Sequence, residues 1–429
     1  MTQPIIGFAG MTHLGLNSAV AAAERGFATL CFDPDAGLSV RLSRGELPIV
    51  EPDLPELLAK NAERLEFTSE SGALRACDVV YVAPDVATDD SGMSDLSDLE
   101  RLLGLVEPAM RADSVLVILS QVPPGFTRAF GRAGKPLVYQ VETLIFGRAI
   151  ERALHPERYI IGLADPQAPL PEAYRAFLEA HGCPLLPMRY ESAELAKIAI
   201  NCCLVASISV ANTLAELCEG IGADWGEIAP ALKLDRRIGA HAYLSPGLGI
   251  AGGNLERDLA TVCRLADDVG SDAGVVRAWI ANSGHRKLAA ARMLERLLPA
   301  GGAGGEQAPL VAIWGLAYKE NTHSTKNSPA LATIAALPQY PIRFHDPVVE
   351  ASAVQHPRAE AARTPLEAAE DAQALLILTP WADYRAVAPA DLARAMKGDL
   401  VIDPFRVLNE ARCAEAGLTR VTLGRSAEI

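Results

Sequence analysis

Ten short apolar runs, set between stretches of helical periodicity, fall into two blocks along this chain, and that arrangement constrains the fold more than any other feature. The first block holds Ile5 to Ala9, Thr29 to Asp33, Val79 to Ala83, Val115 to Leu119, Leu137 to Gln140 and Tyr159 to Leu163. The second holds Leu310 to Trp314, Ile342 to His345, Ala374 to Leu378 and Leu400 to Ile402. Strand-like runs alternating with helical patterns imply βαβ units, hence mostly parallel sheets covered by helices on both faces. The fold class is α/β, with two Rossmann-like doubly wound domains.

Between the blocks, from Ser192 to about Leu298, Ala, Leu and Ile recur at spacings of three and four, through Glu194 to Gly220 and again through Leu255 to Asp268. The first of these helices is rich in Ala, Ser and Cys, which suits a buried spine. Ala300-Gly-Gly-Ala-Gly-Gly-Glu306 reads as a flexible linker. The expected domains are 1–190, 191–299, a linker at 300–308, and 309–429. With 429 residues, half of them hydrophobic, the chain has material for several cores.

A formal net charge of -14, with Lys and Arg scattered singly, argues against nucleic acid or an anionic membrane as the main partner. The N-terminus, Met1-Thr-Gln-Pro-Ile-Ile-Gly7, has no basic region followed by a long apolar run, so no membrane attachment and a cytoplasmic location are expected. Eight cysteines without a CxxC pair read as small buried hydrophobes in a reducing compartment, and no metal site is expected.

The strand from Ile5 to Ala9 leads into Gly10-Met-Thr12-His-Leu-Gly15 and then a helix from Asn17 to Arg25, the context of a dinucleotide fingerprint. Asp33 closes the next strand, where a carboxylate can accept from both ribose hydroxyls; this favours NAD over its phosphorylated form. Thr12 stands where the fingerprint has its middle glycine. Turned outward it costs little; turned inward it obstructs the pyrophosphate.

Further motifs run in order through the chain: Arg44 to Pro52, Asp95-Leu-Ser97, Ser120 to Thr127, Glu142 with Gly147, and Glu194-Leu-Ala-Lys197-Ile-Ala-Ile-Asn201. They continue with Arg237-Ile-Gly239, Gly247-Leu-Gly249-Ile-Ala-Gly-Gly-Asn254-Leu-Glu-Arg-Asp258, and Gly315-Leu-Ala-Tyr-Lys319. Ser328-Pro-Ala330, Asp346-Pro347, Thr379-Pro-Trp381 and Asp403-Pro-Phe-Arg406 complete the series. This series resembles the nucleotide-sugar 6-dehydrogenases, the UDP-glucose, UDP-N-acetylmannosamine and GDP-mannose dehydrogenase family. The resemblance implies a homodimer through the central helix and a nucleotide-sugar substrate. It also implies that Lys197 and Asn201 hold the reacting oxygen or a water, that Asp258 polarises that water or takes a proton, and that Glu142 lies near the substrate carbon. Arg237, reaching in from a neighbouring subunit, Gly249, Lys319 and Arg406 are implied at the diphosphate or sugar, and Lys326 at the NAD pyrophosphate.

Three positions of the expected reaction centre depart from the family: Asn254 replaces its cysteine, Phe146 a glutamate and Gln121 a threonine. A carboxamide cannot become a thiolate, so the covalent route from aldehyde to acid is closed. Cys263 lies nearby in sequence, on a helix that carries it away from the loop. The leading reading is an NAD-dependent oxidoreductase that takes the C6 alcohol of a nucleotide sugar, UDP-linked, to the aldehyde. An NAD-retaining epimerase and a non-catalytic nucleotide-sugar-binding or regulatory paralogue stand beside it, since a repurposed and a decayed pocket carry the same substitutions.

Overall fold

The computed structural model describes residues 3–89, 92–132, 134–301 and 308–426. Two compact units divide the chain, Met1–Ile200 and Asn201–Ile429.

In chain order the first unit contributes β1 (Ile6–Ala9), β2 (Thr29–Phe32), β3 (Leu65–Thr68), β4 (Val79–Val82), the two-residue β5 (Ala87–Thr88) and β6 (Ser94–Asp95), β7 (Val115–Ile118), β8 (Leu137–Gln140), β9 (Tyr159–Leu163) and β10 (Leu185–Arg189). Eight of these form one sheet in the order β10-β9-β8-β7-β4-β1-β2-β3, parallel except where β9 runs against β8. Every residue of β1, β2, β4, β7 and β8 is buried, as strands covered on both faces must be. The edge strands β3 and β10 were not expected from the sequence. Their residues are half-buried or exposed, so they lack the continuous apolar run that marks a central strand.

The second unit carries β11 (Val311–Trp314), β12 (Ile342–His345), β13 (Ala359–Ala361), β14 (Ala374–Ile377), β15 (Leu400–Ile402) and β16 (Thr419–Val421) in one parallel sheet, ordered β13-β12-β11-β14-β15-β16. Its edge strands, β13 and β16, again escaped the sequence pattern. Before this sheet come the helices Trp225–Leu234, Asn254–Val269, Gly274–Lys287 and Ala289–Leu297. Most of the expected linker, residues 302–307, lies outside the described residues.

A 32-residue helix, Tyr190–Ile221, spans the boundary between the units. By length and composition it is apolar enough to cross a membrane. Val205 packs with Ile250, Leu259 and Cys263, and Ala211, Ala215 and Cys218 pack with Trp225 and Leu244. Asn201 and Asn212 are buried along it.

Candidate active site

Strands β1 and β4 are neighbours, and the chain proceeds from them toward opposite edges of the sheet, which opens a crevice at their C-terminal ends. Gly10 turns out of β1 at φ +91°, and a Cβ there would stand 2.9 Å from the Pro84 nitrogen. A Cβ on Gly15 would lie 1.9 Å from the Gly10 carbonyl oxygen, so the helix can approach the strand only without a side chain. That helix is His13–Glu24, four residues earlier in onset than its sequence pattern indicated. The Thr12 hydroxyl turns into the loop after β4, accepting from the Asp85 amide at 2.9 Å and facing the Ala83 carbonyl at 3.4 Å. Asp33 accepts the Met11 amide at 2.8 Å on one oxygen and the Asp35 amide at 3.0 Å on the other. Each oxygen retains a second lone pair for a ribose hydroxyl. Turn, helix start and carboxylate together fit a dinucleotide.

Two residues that sequence reasoning did not single out fix the start of this helix. His13 Nε2 lies 2.9 Å from a Glu51 carboxylate oxygen, and both side chains are buried. Glu51 also accepts the Gly147 and Ala149 amides at 3.1 and 2.8 Å, while Phe146 stacks on the His13 ring at 4.0 Å. Glu51 stands inside the Arg44–Pro52 motif, which was the available signal.

Elsewhere in the first unit, Lys197 Nζ meets Glu142 Oε1 at 2.7 Å and donates to the Glu142 carbonyl at 3.1 Å. The apolar neighbours around Lys197 on its helix thus enclose a paired cation, with 13% of the side chain exposed. Glu194, fully buried three residues earlier, accepts the Gly125 and Thr127 amides at 2.6 and 2.8 Å and so ties down the Ser120–Thr127 loop.

In the second unit Asn254 opens the helix Asn254–Val269. It is exposed, and its carboxamide makes no hydrogen bond among the described residues. One turn on, Asp258 is 1% exposed, accepts from the Asn201 amide group and lies 3.3 Å from Arg257 Nε. Burial, with the Asp258 charge adding to it, pushes the Cys202 thiol up to about 11. Cys263 is buried in its apolar cluster, so neither thiol presents a ready nucleophile.

Tight approaches explain two of the glycines of this loop. A Cβ on Gly249 (φ +84°) would lie 2.6 Å from the Ser283 carbonyl oxygen, and one on Gly252 (φ +80°) 3.1 Å from the Tyr318 ring. The Gly252 amide donates to the Lys326 carbonyl at 3.0 Å, and Asn327 donates to the Gly252 carbonyl at 3.0 Å. Glu256, which had no role in the sequence reading, pairs with Lys287 at 2.7 Å and accepts from Asn327. The loop is thereby fastened to the segment that carries Lys319, whose ammonium sits 5.7 Å above the Tyr318 ring.

Arg406 stands in the left-handed region at φ +55° and is exposed. Asp403 holds its turn by accepting the Val407 and Leu408 amides at 2.9 and 3.0 Å, and burial raises the Asp403 carboxyl. The guanidinium lies beside Gly226. Arg237 is 89% exposed and pairs with Asp235 at 2.6 Å, two residues away.

Family models match all three parts of the chain: the NAD binding domain of the UDP-glucose/GDP-mannose dehydrogenase family over residues 5–178, its central domain over 191–283, and its UDP binding domain over 312–410. The chain belongs to this family. It is 31% identical to the UDP-glucose 6-dehydrogenase of Pseudomonas aeruginosa, over 97% of the chain and 96% of that protein, and 29% identical to the UDP-glucose 6-dehydrogenase TuaD of Bacillus subtilis, over 98% and 93%. Among solved structures, a UDP-glucose dehydrogenase from Pyrobaculum islandicum aligns with a TM-score of 0.80 at 27% identity, covering 94% of each chain. A UDP-D-ManNAc dehydrogenase from Pyrococcus horikoshii shares the fold with a TM-score of 0.81 at 23% identity, covering 99% of this chain and all of the other. As a member of the UDP-glucose/GDP-mannose dehydrogenase family, the chain is an NAD-dependent oxidoreductase in class, with the crevice of its first unit inside the NAD binding domain.

Proposed function

We propose that this protein oxidises the C6 alcohol of a UDP-linked sugar to the aldehyde and releases it at that stage. The observation that carries this reading is Asn254, exposed and without a hydrogen-bond partner among the described residues, at the head of the helix that buries Asp258. The UDP binding domain match and the UDP-glucose 6-dehydrogenases among its relatives support the substrate class.

When bound at Gly10, Gly15 and Asp33, NAD supplies the acceptor for the hydrogen and electron pair that leave C6. Asp258 takes the hydroxyl proton, its carboxylate oriented by Asn201 and Arg257. Lys197, held by Glu142, and Asn201 donate to the substrate oxygen and stabilise charge as it develops there. Lys319, Arg406 and Lys326 supply positive charge for phosphate oxygens. Asn254 hydrogen-bonds a sugar hydroxyl or the hydrated aldehyde. It forms no thiohemiacetal, so a second oxidation has no covalent intermediate to proceed from.

The working protein in this reading is a homodimer. Val210, Leu214, Leu217 and Ile221 are all exposed at helical spacing along Tyr190–Ile221, an apolar stripe suited to a second copy. Arg237, exposed and paired with Asp235 of its own chain, then serves the neighbouring site.

Substituting Asn254→Cys tests the reading. Product analysis should show aldehyde from the parent and uronic acid from the variant; acid as the main product of the parent would refute the truncated reaction.

A further inference from the structure

The amides at the start of the His13–Glu24 helix already have an anion. Asp85 Oδ2 accepts the His13 amide at 2.9 Å. These amides are the groups that a dinucleotide-binding crevice offers to a pyrophosphate, because the first amides of a helix lack intrahelical acceptors and carry the positive end of its dipole. Thr12, the N-cap, makes no side-chain cap of its own. Its hydroxyl instead accepts the Asp85 amide at 2.9 Å, which holds Asp85 over the helix.

We propose that Asp85 is an internal occupant of the pyrophosphate seat, so that NAD binds only when the Asp85 side chain leaves the His13 amide, and that this residue sets the affinity of the chain for its cofactor. One amide hydrogen cannot serve a carboxylate and a phosphate together, and the two anions repel.

The structure also indicates which partner yields. His13 is buried and anchored by Glu51 and Phe146, so the helix start is fixed. Pro84 is held through its carbonyl, which accepts from the Ser120 hydroxyl at 2.6 Å. Asp85 itself is exposed, and rotation about its side-chain bonds suffices to clear the seat.

Calorimetric titration of NAD into the intact protein and into Asp85→Ala and Asp85→Asn tests this. The Ala variant should bind NAD at least tenfold more tightly, and the Asn variant, which keeps an acceptor but loses the charge, by a smaller factor. Thermal unfolding without NAD should show the Ala variant slightly less stable, because the helix start has lost its cap. A residue that merely capped the helix would lower stability and NAD affinity together, whereas displacement predicts opposite directions. Unchanged or weaker NAD binding in both variants, or no binding by any of the three proteins, would overturn the proposal.

Discussion

Gly10 in the first unit and Gly315 in the second turn the chain out of the first strand of each sheet at φ +91° and +94°, and in each unit the carboxylate beyond the next strand receives the amides that follow. Met11 donates to Asp33; Leu316 and Ala317 donate to Asp346 at 2.7 and 3.1 Å. Beyond that point the crevices diverge. The first unit enters its helix at once, with the His13 amide held by a residue from another loop. The second runs on to Asn327 before the helix Pro329–Ala335, where Ser328 caps the Ala330 amide and the first residue has no N–H at all. An acceptor from another loop can be displaced by a ligand without unmaking the helix, whereas a cap and proline within the helix sequence close the terminus permanently. One architecture therefore carries, in the reading proposed above, a seat for a pyrophosphate in the first unit and a recognition loop bearing Lys319 in the second.

The shared turns set the largest expected effects. Gly315→Ala places a methyl 2.4 Å from the Thr379 Cβ at a positive φ, and should cost about 3 kcal/mol or more in denaturant unfolding. Gly10→Ala, with its contact at 2.9 Å, should cost somewhat less, and similar modest losses at both sites would show that the turns are looser than this geometry implies.

Next come the charges that distinguish the crevices. Lys319→Ala should weaken nucleotide-sugar binding by roughly 10–100-fold while leaving NAD affinity unchanged, and Asp33→Ala should do the reverse. Calorimetry with each ligand in turn reads both, and a crossed effect would break the assignment of one ligand to each crevice.

Ser328→Ala should lower stability by about 1 kcal/mol and alter neither affinity, in contrast to Asp85→Ala. The smallest signal concerns Cys202. With its thiol at about 11, roughly one in a thousand is ionised at pH 8, so alkylation should be slow there and accelerate as pH rises. Rapid labelling at pH 8 would reopen Cys202 as a substitute nucleophile.

What the sequence disclosed follows burial. Strands buried on every residue, such as β1 and β14, wrote continuous apolar runs, while β3, β10, β13 and β16 face solvent in part and left no run to read. Glycines were legible because a missing side chain is itself the signal; Gly15 and Gly252 sit where a Cβ would meet backbone or ring. The acids were not. Asp85, Glu51, Glu194 and Glu256 each bind groups 31 to 98 positions away, and no local pattern records a partner at that separation. Thr12 was ambiguous for the same reason, since the direction of its hydroxyl depends on Ala83 and Asp85 rather than on its neighbours.

The central claim, a dehydrogenase halted at the aldehyde by Asn254, is tested most directly by counting NADH formed per UDP-sugar consumed, with and without an aldehyde trap. One NADH per sugar together with trapped aldehyde is the predicted result. Two NADH per sugar with uronic acid as product, or no NADH from any sugar tried, would contradict it.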